Sequence, residues 1–467
     1  MKTRKDILTI EADPNDDTML WYSRAVGFMK SLPETDHRSW LFQAKIHSVP
    51  KRERPLPPQM KPYWRQCQHG HWFIWPWHRI YLLHFESIVA KIIRDGVEVH
   101  GEVLKGPKDW TLPYWRTYQG KGGAGAVSEE ERRRLPKSFR KREWTATETG
   151  TNRAEPNHLF LEDRYINDGR SFGERSVRTK DTLLVSGFEN FGSRNIGRTE
   201  HLNLKEQGAL EQYPHNSVHV AVGEVMADFD RSARDPSFYT HHCNLDRLWD
   251  VWVARSPRNE NPTSRVWLEQ RFRFKDVNGN DHWMTPREVV KTAELGYLYE
   301  DVSDPVPSAE AQPPARFAAS APIEPTMIGV ADAALEVPMD RGVTATSLPL
   351  EPRYANNDPE STRYVLHIEH MTSDTNVGAF DVYVGVPAGA DDEERERHFV
   401  GRVSPFGIAA ASDTDDKHGG AGLSSDLDVT EAVEALADRT TVPIDIRPVR
   451  PAAGDRMRIG RLSLYAQ

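Results

Sequence analysis

Cysteine is almost missing from this chain: Cys67 and Cys243 are the only two in 467 residues. A disulfide framework is therefore excluded as the source of stability. No stretch has the apolar length of a membrane-crossing helix. The start Met1-Lys2-Thr3-Arg4-Lys5 is basic, but no apolar segment or small-residue cleavage site follows it, so no secretory leader is read. The expected location is cytoplasmic, or exported by a route the sequence does not display. Positive charge is not in excess either. The formal net charge is -9 with 28% charged residues, which suits solubility and gives nucleic acid no footing. The one basic run, Arg132-Arg133-Arg134, follows three glutamates and is expected on a solvated face. No internal repeat is present.

The chain is longer than one compact core organises, and its texture changes along its length. Residues 1–300 carry helical patterning, 301–325 are rich in Pro and Ala, and 326–467 alternate like short strands. Two domains and a linker are expected.

What the sequence does have is histidine in two clusters. Cys67-Gln68-His69-Gly70-His71-Trp72-Phe73-Ile74-Trp75-Pro76-Trp77-His78-Arg79 sets three histidines among aromatic residues, and His215, His219, His241 and His242 answer it much later. The first cluster is preceded by two helices. One covers residues 18–30, with Leu20, Ala25, Phe28 and Met29 on its apolar face. The other covers Ser39 to His47, with Trp40, Ala44 and His47 on one side. His47 then points inward, as a ligand or as a core histidine bonded to a carbonyl. Pro76 marks the first turn of a long buried helix carrying His78 and, two turns on, Glu86. A carboxylate inside an apolar helix needs a partner, and an arginine or histidine is expected to meet it.

Residues 100–214 show weak periodicity and short helices near 129–135 and 181–184, the texture of loops that wall a site. Pro214 then opens a helix that projects His215 and His219 from one face. Asp235-Pro236 starts another, with His242, Asp246 and Trp249 at i, i+4, i+7. Beyond the linker, residues 362–370, 378–386, 399–403, 442–447 and 457–462 read as strands of a β-sandwich or small barrel, with 413–420 as a loop.

Six imidazoles, three early (His47, His69, His78) and three late (His215, His219, His242), match two three-ligand sites. Such ligation suits copper, zinc, iron or nickel. The glutamates of di-iron bundles are absent, and zinc hydrolases keep a carboxylate among or beside their ligands. Copper leads.

Residues 69–86, with Pro76-Trp77-His78-Arg79, Leu82 and Glu86, resemble the first copper motif of the tyrosinase and polyphenol oxidase family. Asp235-Pro236-Ser237-Phe238-Tyr239 with His242 and Asp246 resembles its second, and Pro214-His215-Asn216-Ser217-Val218-His219 has the family's spacing. The strand-rich tail resembles the shielding domain of plant-type members. The resemblance implies a mainly α catalytic domain, a central four-helix bundle holding a type 3 dicopper centre, followed by an all-β sandwich-like C-terminal domain. It implies two copper ions, A on His47, His69 and His78, and B on His215, His219 and His242. His71, His37 and His241 are the rivals of His69, His47 and His242. It further implies a thioether from Cys67 to His69, Phe229 as a gate over copper A, and Glu211 with Asn216 as the pair that deprotonates a monophenol. Asp246, Glu86 and His241 are expected around the ligands. The implied reaction is oxidation of phenols and o-diphenols by dioxygen to o-quinones, with hydroxylation of monophenols as a second grade of activity. A type 3 copper oxygen-binding protein and a specialised o-aminophenol oxidase are the alternatives. Phenolic small molecules and dioxygen are the partners implied, with no nucleic acid or membrane and with the C-terminal domain as an intramolecular cover.

Overall fold

A 22-residue helix, Ile74–Asp95, runs through the first unit with both faces buried. Pro76 stands in its first turn, where no backbone donor is needed. Gly96, at φ 117°, ends it by returning its N–H to the Ile92 carbonyl. Pro236–Arg255 packs beside it, started by Asp235, whose carboxylate accepts the Ser237 N–H. Trp40–His47 is capped by Ser39, which accepts from the Phe42 N–H. Tyr81 joins these elements: its hydroxyl donates to the Gln43 carbonyl at 2.6 Å and lies 3.0 Å from the Tyr239 hydroxyl. Phe85 stacks on Tyr239 with ring centroids 3.6 Å apart.

The computed structural model describes residues 1–118, 127–193, 207–303, 305–306, 326–331, 333–340, 342–350, 363–415, 420–437, 440–452 and 454–466. They form two units dividing near residue 308, the first mainly helical and the second of antiparallel sheets. Most of the expected linker, 301–325, and part of the 413–420 loop lie outside the described residues. Among the described residues no helix is long and apolar enough to cross a membrane.

Beneath the two long helices lies an ionic cluster. The strand Lys2–Arg4 pairs in parallel with Tyr297–Tyr299 and carries Arg4 to 0% exposure. Its Nε donates to Glu86 Oε2 at 2.7 Å, and its Nη1 reaches Asp246 Oδ2 at 3.4 Å. Asp246 also accepts from Arg79, Tyr297 and Tyr299, and Arg79 donates to Asp250 at 2.7 Å. Glu86 thus meets the arginine its burial required. Asp246 takes its hydrogen bonds from guanidinium and phenol groups, Arg79 and Arg4 being the buried cations within its reach. The basic run departs from its expected solvated face. Arg132 is buried against Asp6 at 2.8 Å, while Arg134 pairs with Glu130 on the surface.

In the second unit, Arg456–Ala466 is flanked on one side by Tyr364–Thr372 and then Leu423–Asp428, and on the other by Thr326–Val330 and Leu335–Pro338. A four-stranded sheet runs Thr344–Pro349, Thr441–Pro448, Phe380–Val384, Phe399–Val403. Val442, Ile444 and Ile446 alternate into the core, as a period of two requires.

Burial pushes the Asp246 carboxyl up, but Arg79 and Arg4 hold it below its ordinary 3.8. Its contribution to stability is therefore complete above that ordinary value and is lost as pH falls through the depressed one. Arg4→Met is expected to lower unfolding free energy by about 3–5 kcal/mol at neutral pH, since it leaves buried Glu86 without its cation and removes one of the two on Asp246. The difference from the wild type should shrink in acid. Urea midpoints at several pH values check both; equal midpoints at neutral pH would remove Arg4 from this account.

Candidate metal centre

Each histidine arrives on a different local device. His47 is the last residue of Trp40–His47, and His78 sits in the second turn of Ile74–Asp95. His69 comes from the loop between them, next to Gly70 at φ 60°. Tyr213, at φ -140° and ψ 126°, breaks helical geometry before Pro214, and the chain resumes it through His215 into Ser217–Val222, which carries His219. His242 projects from Pro236–Arg255. All six are at most 2% exposed.

The ligand atoms of His47, Cys67, His69 and His78 lie within 4.8 Å of one another, and so do those of His215, His219 and His242. The two groups share one interior. The rings of His69 and His215 are 4.9 Å apart, and those of His78 and His242 are 4.3 Å apart and nearly parallel.

Tautomers follow from the anchors. His78 Nδ1 donates to the Ile74 carbonyl at 2.7 Å, and His219 Nδ1 to the Met226 carbonyl at 2.8 Å. A carbonyl only accepts, so each neutral ring keeps its proton on Nδ1 and turns a bare Nε2 inward. His215 Nδ1 donates likewise to Asn216 Oδ1 at 2.8 Å. Burial pushes the pKa of His47, His69, His78, His219 and His242 well below 6.5, and neighbouring imidazoles push the same way. His215 is also lowered by burial, with Glu211 opposing. All six are neutral at pH 7, the state that ligates.

A metal pair fits this arrangement. His47 Nε2 is buried without a hydrogen-bond partner, and His219 Nε2 faces His242 Nε2 at 3.3 Å. Leaving such acceptors unmet costs about 1–3 kcal/mol each; cations held by the two imidazole groups would satisfy them. Neutral nitrogen donors with no carboxylate in either group suit a binuclear copper site.

The rivals fall outside. His71 stacks on Phe73 at 4.9 Å, and His37 lies beside Asp36 at 3.7 Å on a partly exposed turn. His241 is buried against the rings of His219 and His215, at 5.2 and 6.0 Å, but the second group is completed by His242. Consecutive helical residues diverge by about 100°. Cys67 Sγ lies 3.5 Å from His78 Nε2, and burial pushes its thiol well up. Phe229 packs its ring on His47 and His69, at 5.2 and 5.0 Å.

Glu211 is wholly buried. Its Oε1 accepts the Gly70 N–H at 2.8 Å and lies 3.4 Å from His69 Nδ1, and its Oε2 accepts from Ser193 Oγ at 2.7 Å. Burial raises its pKa, with His215, Ser193 and Gly70 pulling the other way. Asn216 is spent on His215 through Oδ1 and on Gln207 Oε1 through Nδ2, at 2.8 Å. Glu86 and Asp246 belong to the ionic cluster below. Three residues were given no role of their own in the sequence reading. Phe238 lies 4.1 Å from His242 and 5.0 Å from His47 between ring centroids; its place four residues before His242 was the available signal. Ser193 and Gln207 had none.

Residues 37–255 match the model of the common central domain of tyrosinase, and residues 319–467 match a domain family of unknown function (DUF7868). A tyrosinase from Hahella sp. (strain CCB-MM4) is 30% identical over 500 aligned positions that span all of both chains. A chloroplastic polyphenol oxidase of Malus domestica is 27% identical over 81% of this chain and 65% of its own. The solved structure of latent apple tyrosinase superposes with a TM-score of 0.58 at 21% identity, covering 100% of this chain and 97% of that one, which shows a common fold. With its full-length relative and two imidazole trios, the chain belongs to the tyrosinase and polyphenol oxidase family and is a copper-dependent oxidoreductase of that family.

Proposed function

We propose that His47, His69 and His78 hold one copper ion and His215, His219 and His242 a second, and that the pair oxidises o-diphenols and hydroxylates monophenols with dioxygen, yielding o-quinones. The observation that carries this reading is the meeting of two buried, neutral imidazole trios, with rings from opposite trios only 4.3 Å apart. Copper, when bound, supplies the one-electron steps that couple ring oxidation to reduction of dioxygen. The rest falls to the chain. Phe229 and Phe238 line the imidazoles with apolar surface and keep bulk water off them. Glu211, made more basic by burial, takes the phenolic proton, directly or through one water. Asn216 holds the Nδ1 proton of His215 and so keeps that ring's Nε2 inward. Cys67, a member of the first group with His69, restricts that ring through a thioether; forming the bond removes two hydrogens, which dioxygen accepts. The C-terminal unit acts as a cover that lowers turnover until it is removed or displaced.

Copper-loaded protein is expected to hold about two copper ions per chain, and His215→Ala fewer, with oxidation of 4-methylcatechol lowered by at least about 10²-fold. Metal analysis and quinone absorbance check this, and a single zinc ion per chain would refute it. Peptide masses of the loaded sample should show residues 67 and 69 joined; unmodified masses dispose of the thioether. Glu211→Gln is expected to slow 4-methylphenol hydroxylation by about 10²-fold with a far smaller effect on the catechol. Cleavage within 307–325 should raise turnover of the catechol; equal rates before and after would end the cover.

A further inference from the structure

Two residues outside the histidine motifs grip the groups that flank His215. Ser193 is 0% exposed and sits at φ 75°, ψ 154°, a region nearly reserved for glycine. Its Oγ accepts the Gly208 N–H at 2.8 Å. With that acceptor side filled, its proton goes to Glu211 Oε2. Gly208 permits the approach, because a Cβ there would overlap the Ser193 nitrogen and the Phe191 carbonyl. On the other side, Gln207 Oε1 accepts from Asn216 Nδ2 at 2.8 Å. With Nδ2 engaged by Gln207, Asn216 turns Oδ1 to the Nδ1 of His215. Adjacent positions, 207 and 208, thus feed the two branches: one through Ser193 to the carboxylate, one to the amide.

We propose that Ser193 and Gln207 are positioning residues that aim Glu211 and Asn216, and that they set how much turnover goes to monophenol hydroxylation relative to diphenol oxidation. This rests on the reading of Glu211 and Asn216 as the groups that handle the phenolic proton. That proton leaves the substrate oxygen for a Glu211 lone pair, and the phenolate remains. A diphenol, whose more acidic hydroxyls make fewer demands on a base, is less sensitive to the aim of the carboxylate.

The test uses the copper-loaded full chain with 4-methylphenol and 4-methylcatechol. Ser193→Gly and Gln207→Ala are expected to lower the ratio of hydroxylation to diphenol oxidation on the order of tenfold. Copper content should not change, and kcat on the catechol should stay within about twofold. Gln207→Glu, which still offers Asn216 an acceptor, should recover most of the ratio. Ser193→Gly loses two buried hydrogen bonds but relieves the positive φ, so it should still unfold in one cooperative transition with its copper content intact; this separates loss of aim from loss of fold. Unchanged ratios overturn the proposal, as do parallel losses of both activities together with copper. Glu211→Gln runs beside them. If it leaves hydroxylation intact, or the wild type hydroxylates nothing, the proton-handling reading fails and takes this proposal with it. If it stops hydroxylation while Ser193→Gly and Gln207→Ala leave the ratio alone, this proposal alone falls.

Discussion

Six imidazoles can crowd into one dry interior because none of them carries a charge. A single imidazolium among rings 4.3 to 6.4 Å apart would face both desolvation and the loss of a lone pair a metal needs. Burial removes that choice by pushing every ligand pKa down. Neutrality alone leaves each ring two tautomers and freedom to turn, and the backbone supplies the rest. The Ile74 and Met226 carbonyls take the Nδ1 protons of His78 and His219, so the acceptor that remains on each ring points at the centre. Asn216 performs the same office for His215 with a side chain. The local path of the chain is therefore already part of the metal site.

Charge is kept, but one level away. Along Pro236–Arg255 a carboxylate follows the ligand by one turn, Asp246 after His242, and along Ile74–Asp95 Glu86 follows His78 by two turns. The two helices thus present a tier of stacked imidazoles above a tier of carboxylates. Arg4 enters from the edge and bridges Glu86 to Asp246, while Arg79 clamps Asp246 from the other side. A buried ion pair is weak as a source of net stability, but breaking one is costly. The cluster therefore holds the two helices in register, which sets the spacing of His78 and His242.

Regular elements were legible in the sequence where a period had a physical cause. The i, i+4 pairs His215/His219 and His242/Asp246, the Asp235-Pro236 start and the Pro76 entry each reported a local rule, and the helices stand where those rules place them. Central strands of the second unit were legible, and of its edge strands only Phe399–Val403 was. Thr441–Pro448 and Phe380–Val384 bury residues from both neighbours and show it in their side chains. The strands of the second unit that escaped notice, Thr326–Val330, Leu335–Pro338, Thr344–Pro349 and Leu423–Asp428, all lie at sheet edges or share one side of Arg456–Ala466. An edge strand packs against less, so its composition carries less pattern. Contacts between residues far apart in sequence left no periodic trace at all. Nothing around Arg4 announced that it would meet Glu86, and nothing around Ser193 pointed to Glu211.

That division bears on how such a site can change its chemistry. The ligand-bearing helices are constrained twice, by the imidazole geometry above and by the ionic cluster below, so a substitution on their inner faces disturbs metal, stability or both. Glu211 and Asn216 are tied to His69 and His215 and are scarcely freer. Ser193 and Gln207 touch neither the imidazoles nor the ionic cluster in any described hydrogen bond, yet each ends on a group that does touch a ligand. Residues of that kind can alter the direction of a lone pair by tenths of an ångström while leaving the metal grip as it stands. Proton transfer is steep in distance and angle, whereas imidazole ligation is held by the backbone itself. On the proposal made for Ser193 and Gln207, selectivity between substrates that differ by one hydroxyl belongs to the irregular chain around the helices, where geometry can shift without dismantling the centre.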